Sequence, residues 1–380
     1  MTLRHVVIVG CGVVGATLAY ELSLRPDFQV TVFDQGNPAG GATGAALGVA
    51  MAVISHQVKG RNWRLREQSL GRYQTLIPEL ETITGQPLPR NTHGILSLCF
   101  EPAALLRWES LRAIRQGQGY RLEIWPPEQV AQRCPHLQLG GAVAGIYSPQ
   151  DFQVNPTTLT QALVAAATAK GATFYFGQPV VGWGKETDVP DLPPRWATVR
   201  TLAQTIEADA VILTSGLGTT PLTQSLHQPV AIGPVLGQAV RLQLDQPLGD
   251  PDFQPVVNGN DIHLVPLGQG DYWVGATVEF PPEIVLEDSL TLQPAAERLQ
   301  EVLDGAIAYC PALAQATITD RWFGLRPRPQ GQSAPIIQPL AGYDNIWLAT
   351  GHYRNGVLLA PATALEMVKM LSASGELGNF

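Results

Sequence analysis

Apolar positions in this chain form short unbroken runs near both ends and alternating runs towards the middle, which predicts parallel strands with helices at the ends and antiparallel strands between. Val6-Val7-Ile8-Val9 reads as a buried strand, 14–23 as a helix and 29–33 as a second strand. Residues 62–83 place Leu65, Leu70, Tyr73, Leu76, Ile77 and Leu80 close to helical spacing, and Gly85-Gln86-Pro87 ends that helix. A strand over 94–100 and a helix over 102–114 read as the start of an inserted domain. Asn155-Pro156-Thr157 opens a helix reaching Lys170, Gly171 stops it, and 173–176 is a strand. The run 207–215 predicts one more strand, ending on Gly216, at the edge of a parallel sheet near a nucleotide. The proline- and acid-rich stretch 188–194 reads as an exposed loop tip.

From Gly237 the pattern alternates. Residues 261–266 and 272–276, joined by Gly268-Gln269-Gly270, predict a β-hairpin, followed by a helix over 295–308 and a strand over 317–323. A final strand over 346–349 leads through 351–356 into a helix from about 359 to 371. The expected fold class is therefore α/β. A discontinuous Rossmann-like domain (1–85, 145–225 and 325–380) accompanies an α+β domain with a mainly antiparallel sheet (86–144 and 226–324).

The first strand runs into Gly10-Cys11-Gly12-Val13-Val14-Gly15, a G-x-G-x-x-G turn opening a helix. Gly10 allows the tight turn, Gly12 lets backbone amides approach a pyrophosphate, and Gly15 lets the helix pack on the strand. The pyrophosphate then meets the positive helix end. Asp34, at the end of the second strand, is placed to accept from ribose hydroxyls. The small-residue run Gly40-Gly41-Ala42-Thr43-Gly44-Ala45-Ala46-Leu47-Gly48 lets the backbone lie flush against a flat, extended ligand. Thr43 can hydrogen-bond a phosphate. A flavin dinucleotide needs such a surface and a nicotinamide one does not. A flexible linker is the other reading of this run.

At 380 residues, two domains are expected. A hydrophobic share of 45% and charged share of 15% exclude a disordered chain, and the net charge of -8 argues against nucleic acid and anionic membranes as partners. No apolar window is expected to approach a membrane span of about 20 residues; the longest candidate is 45–54. The first strand lies near Met1, and Cys11, Cys99, Cys134 and Cys310 are scattered. These features predict no signal peptide, no disulfide framework and a cytoplasmic protein. The seven histidines show no metal-ligand spacing, so no metal is expected.

Three motifs together resemble the glycine oxidase branch of the D-amino acid oxidase family: Val7–Gly15 with Asp34, Gly324-Leu325-Arg326-Pro327, and Gly351-His352-Tyr353-Arg354-Asn355-Gly356-Val357-Leu358-Leu359-Ala360-Pro361-Ala362-Thr363. The resemblance implies FAD and oxidative deamination of glycine or another small amino acid or amine; attachment is expected to be non-covalent, since none of the four cysteines lies in a segment that would face the ring. Hydride would pass to the flavin and dioxygen would give peroxide. It also implies a homo-oligomer and a role in thiamine biosynthesis. By the same resemblance, Val13, Val14, Asp34, Gln35, Ala42, Thr43, Leu47, Gly48 and Val49 would line the FAD, Val180 would meet the adenine, and His352 to Leu358 would face the flavin ring. Asn355-Gly356 precede a helix whose N-terminal dipole favours the anionic reduced flavin.

Arg326 resembles the family's carboxylate clamp, since a guanidinium pairs a carboxylate through two parallel bonds. Arg354 matches a second arginine near substrate and flavin. For both, the alternative is an ordinary pair with a nearby acid. Arg328 is expected in solvent. His263 stands where the family has a tyrosine over the substrate, and Gln338 replaces a glycine near the cofactor. An imidazole at 263 would become cationic below its ordinary pKa of about 6.5 and depress activity in acid, unless it is buried in the hairpin. A dehydrogenase of the same family, acting on D-amino acids or N-methyl amines with another acceptor, is a rival reading, and the two departures leave open a non-catalytic flavin-binding assembly factor.

Overall fold

Arg4–Val9 is buried along its last four residues, Val6 and Ile8 among helix side chains such as Leu18 and Leu163, and Val7 and Val9 against Trp183 and Val199 of an antiparallel sheet. In the computed structural model, which describes residues 3–185, 196–281 and 294–376, it lies within a six-stranded sheet. The order is Ile336–Pro339, Ile346–Thr350, Ala210–Leu213, Arg4–Val9, Phe28–Phe33, Thr173–Tyr175. All neighbours are parallel except the first pair. The stretch 207–215 therefore does not form one edge strand. Glu207 ends Thr205–Glu207 in a separate antiparallel sheet, and Ala210–Leu213 is interior, paired on both sides. The expected loop tip at 188–194 lies outside the described residues.

Helix Val13–Ser23 packs against helices Pro156–Ala169 and Gly356–Glu376. Asn155 caps the second of these by accepting from the Thr158 amide at 3.0 Å. Helix Gly60–Thr84 ends on Gly85 in the left-handed conformation. Gly356–Glu376 begins three residues before the expected start and carries Pro361 inside it. Proline has no N–H to give the carbonyl four residues back. The Tyr73 hydroxyl donates to that Val357 carbonyl instead. Contrary to the expected absence of any such span, Tyr353–Ser374 is long and apolar enough to cross a membrane. Here it is a core helix, with Leu359, Ala360, Met367 and Leu371 fully or almost fully buried.

The second sheet has eight strands in the order Thr317–Pro329, Ile232–Gln243, Asp271–Gly275, Ile262–Gly268, Val256–Gly259, Ile95–Cys99, Ala144–Ser148, Glu123–Trp125. It is antiparallel except where Val256–Gly259 meets Ile95–Cys99. Ala144–Ser148 pairs inside this sheet, so the chain leaves it after Ser148 and not near 144. The edge strand Thr317–Pro329 runs thirteen residues, past the expected end at 323. That extension carries Arg326 along the sheet, opposite Val235.

Candidate active site

A cavity of about 830 Å³ runs between the two sheets, within the range of about 300–1,000 Å³ typical of ligand pockets. At one end stands the glycine turn. Gly10 has φ +107°, and a Cβ on Gly15 would fall 2.0 Å from the Gly10 carbonyl oxygen. Gly15 thus serves helix-on-strand packing and does not line the cavity. Gly12 does, and a Cβ there would sit 3.0 Å from Thr43 Oγ1. Helix Val13–Ser23 has no side-chain cap of its own; Thr43 Oγ1 accepts from the Val13 amide at 3.0 Å. Among the described residues its hydroxyl has no acceptor, which suits donation to an anion. The Asp34 carboxylate accepts from the Cys11 amide at 2.6 Å and from the Gly36 amide at 2.8 Å. It therefore fixes the turn as well as facing the cavity, each oxygen keeping a second lone pair.

From there the wall continues through Val13, Val14, Gln35, Ala42, Leu47, Gly48 and Val49, with Val180 and Gly216 opposite. His352, Tyr353, Arg354, Gly356 and Val357 close the far end. Two residues of that turn lie elsewhere. Leu358 is buried in the core, and the Asn355 side-chain oxygen accepts from Arg66 Nη2 at 3.4 Å. Gln338 is exposed on an edge strand and does not reach the cavity. Arg328 is exposed, lying over the Phe280 and Tyr353 rings at 5.4 and 5.7 Å. The glycine cradle, the uncapped helix end and a long groove of small residues fit FAD, with Gly12, Val13, Thr43 and Asp34 at its nucleotide end.

Arg326 enters the cavity wall from the edge strand. Its Nη1 donates to the carbonyls of Leu236 and Thr277, both at 3.0 Å. Among the described residues no carboxylate pairs with it. Burial, then the neighbouring Arg354 guanidinium, hold its pKa below the ordinary arginine value. Gly237, marked in the sequence only as the start of the alternating pattern, makes room for it: a Cβ there would lie 2.2 Å from Arg326 Nη2. Arg354 also lines the cavity, but its fork is taken by Asp261 at 2.9 and 3.0 Å.

His263 lies in the cavity wall with Nδ1 out of reach of solvent and without a partner. Burial is the main cause that lowers its pKa to about 4. The expected titration near 6.5 is thereby displaced. A lowered folded-state pKa means the neutral ring is favoured in the folded protein. That contribution to stability is complete above the unfolded value of about 6.5 and lost as pH falls towards 4. The parent and His263→Tyr should therefore show the same acid limb of activity above about pH 5. An additional step near 6.5 in the parent alone would contradict a neutral ring.

Two buried groups escaped the sequence reading because nothing local marks them. Asp151 is fully buried and accepts from the amides of Ala52 (2.7 Å), Val53 (2.8 Å) and Ile54 (2.8 Å). Arg115, equally buried, donates to the carbonyls of Val53, Ser55 and Gln57 and lies over the Trp63 ring at 3.6 Å. Together they clamp the segment that follows the cavity wall at Val49. Trp183 also lines the cavity, its indole N–H donating to Ser225 Oγ at 2.9 Å.

Residues 5–370 match the family described as FAD dependent oxidoreductase, DAO. The bifunctional protein ThiO/ThiG of Synechocystis is 31% identical over 96% of this chain and 51% of its own length. The chain thus spans about half the length of the curated relatives of that type. The glycine oxidase of Geobacillus kaustophilus is 26% identical over 98% of this chain and 94% of its own. A crystal structure of glycine oxidase from that organism superposes with a TM-score of 0.83 at 25% identity, covering 97% of this chain and 95% of that one. An L-proline dehydrogenase from P. horikoshii shares the fold with the same TM-score at 21% identity. Fold, glycine cradle and family match agree: the chain belongs to the DAO family of FAD-dependent oxidoreductases.

Proposed function

We propose that this protein oxidises a small amino acid or N-substituted amino acid at its α-carbon, in the manner of a glycine oxidase. The observation that carries the reading is Arg326, a cation in the cavity wall, anchored by carbonyls and ion-paired with no carboxylate among the described residues. Such a group binds a substrate carboxylate through its remaining N–H edge. FAD, when bound, would supply the acceptor for the hydride of the α-C–H bond, which carries both electrons.

The chain's own contribution is orientation and electrostatics. Arg326 fixes the carboxylate end. His263, neutral at working pH, puts no charge beside the amine, which must itself be neutral to be oxidised. Helix Gly356–Glu376 directs its N-terminal dipole towards the far end of the cavity and favours negative charge there. No acid–base pair is required, because the amine carries its own lone pair. The product imine then adds water and splits into the oxo acid and ammonia, or the primary amine where the nitrogen is substituted; the unsubstituted imine could instead be consumed by a thiazole-forming step of thiamine synthesis.

The test is anaerobic mixing of the flavin-loaded protein with glycine, sarcosine and D-amino acids. Bleaching by at least one is expected; bleaching by none would remove the reading. Peroxide formed in air under saturating substrate marks an oxidase, and its absence marks a dehydrogenase with another acceptor. Attachment of the flavin should be non-covalent: all four cysteines are buried and none lines the cavity. Acid precipitation should leave the flavin in the supernatant, and flavin retained on the pellet would contradict this.

A further inference from the structure

Arg354 presents a second cation to the cavity that contains Arg326, and two guanidinium groups there could hold two carboxylates. Arg354 is not free to do so. Both of its terminal nitrogens donate to the two oxygens of Asp261, at 2.9 and 3.0 Å. Asp261 is delivered by a tight turn. Gly259 pairs with Ile262 across the strands Val256–Gly259 and Ile262–Gly268, and Asn260 and Asp261 between them have φ of +50° and +67°. Two successive left-handed residues are the signature of a two-residue hairpin loop whose twist matches its strands, which holds the carboxylate in place. The side chains of Asp261 and Arg354 are 63% and 36% exposed, so the pair contributes little to stability. Its consequence is for charge: one of the two cations is already neutralised.

We propose that Asp261 is a specificity-determining residue, occupying Arg354 as a built-in carboxylate so that the site accepts monocarboxylate amino acids and rejects dicarboxylates. This rests on the reading of Arg326 as the substrate's carboxylate anchor. A ligand with one carboxylate satisfies Arg326 and leaves the Asp261–Arg354 pair intact. With a second carboxylate, the ligand must either displace Asp261 or stand beside it as a like charge. Arg328 offers no substitute, since it does not line the cavity.

The test compares binding of the non-oxidisable ligands glycolate and malonate to the flavin-loaded protein, read from the flavin absorbance. In Asp261→Asn the turn is preserved, because asparagine tolerates the left-handed conformation, but the anion is gone. Malonate affinity relative to glycolate should rise about tenfold or more, the scale of a regained charge-assisted contact. The double variant Asp261→Asn/Arg354→Gln should lose that gain. Asp261→Gly, equally at ease in the turn, should reproduce it. An unchanged ratio in both single variants, or a parent that already binds malonate as tightly as they do, overturns the proposal. These titrations need no turnover. Failure of every amine to bleach the flavin would refute the proposed activity, while the titrations would still decide the role of Asp261.

Discussion

Arg326→Leu should raise the substrate KM and slow anaerobic flavin reduction, together by about a hundredfold or more in rate over KM, with FAD content unchanged. The substrate carboxylate would lose charge-assisted hydrogen bonds worth about 1.5–3 kcal/mol each. Leucine also leaves the Leu236 and Thr277 carbonyls without the donor that Arg326 Nη1 now provides. Arg326→Lys should fall between the two, because an ammonium keeps the charge but not the planar fork. Stopped-flow reduction over a range of substrate concentrations separates binding from the chemical step. If the leucine variant were reduced as efficiently as the parent, Arg326 would not hold the carboxylate.

The largest effect on stability is expected at Asp151, far from any recognisable motif. Asp151→Ala leaves the buried amides of Ala52, Val53 and Ile54 without their acceptor. Each such loss costs about 1–3 kcal/mol, so the total approaches the whole stability of many domains, about 5–15 kcal/mol. The variant should unfold at much lower urea concentration and retain less flavin, since the released segment adjoins the cavity wall at Val49. Asp151→Asn should lie between, keeping one oxygen for two of the three amides. An alanine variant within about 1 kcal/mol of the parent in urea unfolding would show that water or backbone adjustment replaces the carboxylate.

Local pattern was sufficient where the physics is local. The glycine turn after Val9, the Asn155 cap, the stop at Gly171 and the hairpin around Gly268–Gly270 each depend on residues within a few positions of one another. The motif around Gly324-Leu325-Arg326 and the run from Gly351 pointed to the cavity through family resemblance, and both do line it. Where partners are distant in sequence, the pattern misled or was silent. The apolar run at 207–215 looks like one strand, yet Ala210–Leu213 becomes interior only because Ile346–Thr350 arrives beside it. Gln338 resembles a cofactor neighbour by its motif but points outward from an edge strand.

The amino-acid sequence by itself determined the FAD-binding family, the alternation of α/β ends with an antiparallel middle, and Arg326 as the candidate anchor. Tertiary structure alone decided the electrostatic state of the site. It placed Asp261 on Arg354, withdrew His263 from titration near neutral pH, and clamped residues 52–57 between Asp151 and Arg115. The reason is physical. Helix and strand periodicity record which way a side chain faces relative to its own neighbours, whereas charge pairing and burial depend on elements brought together from 60 to 100 positions away.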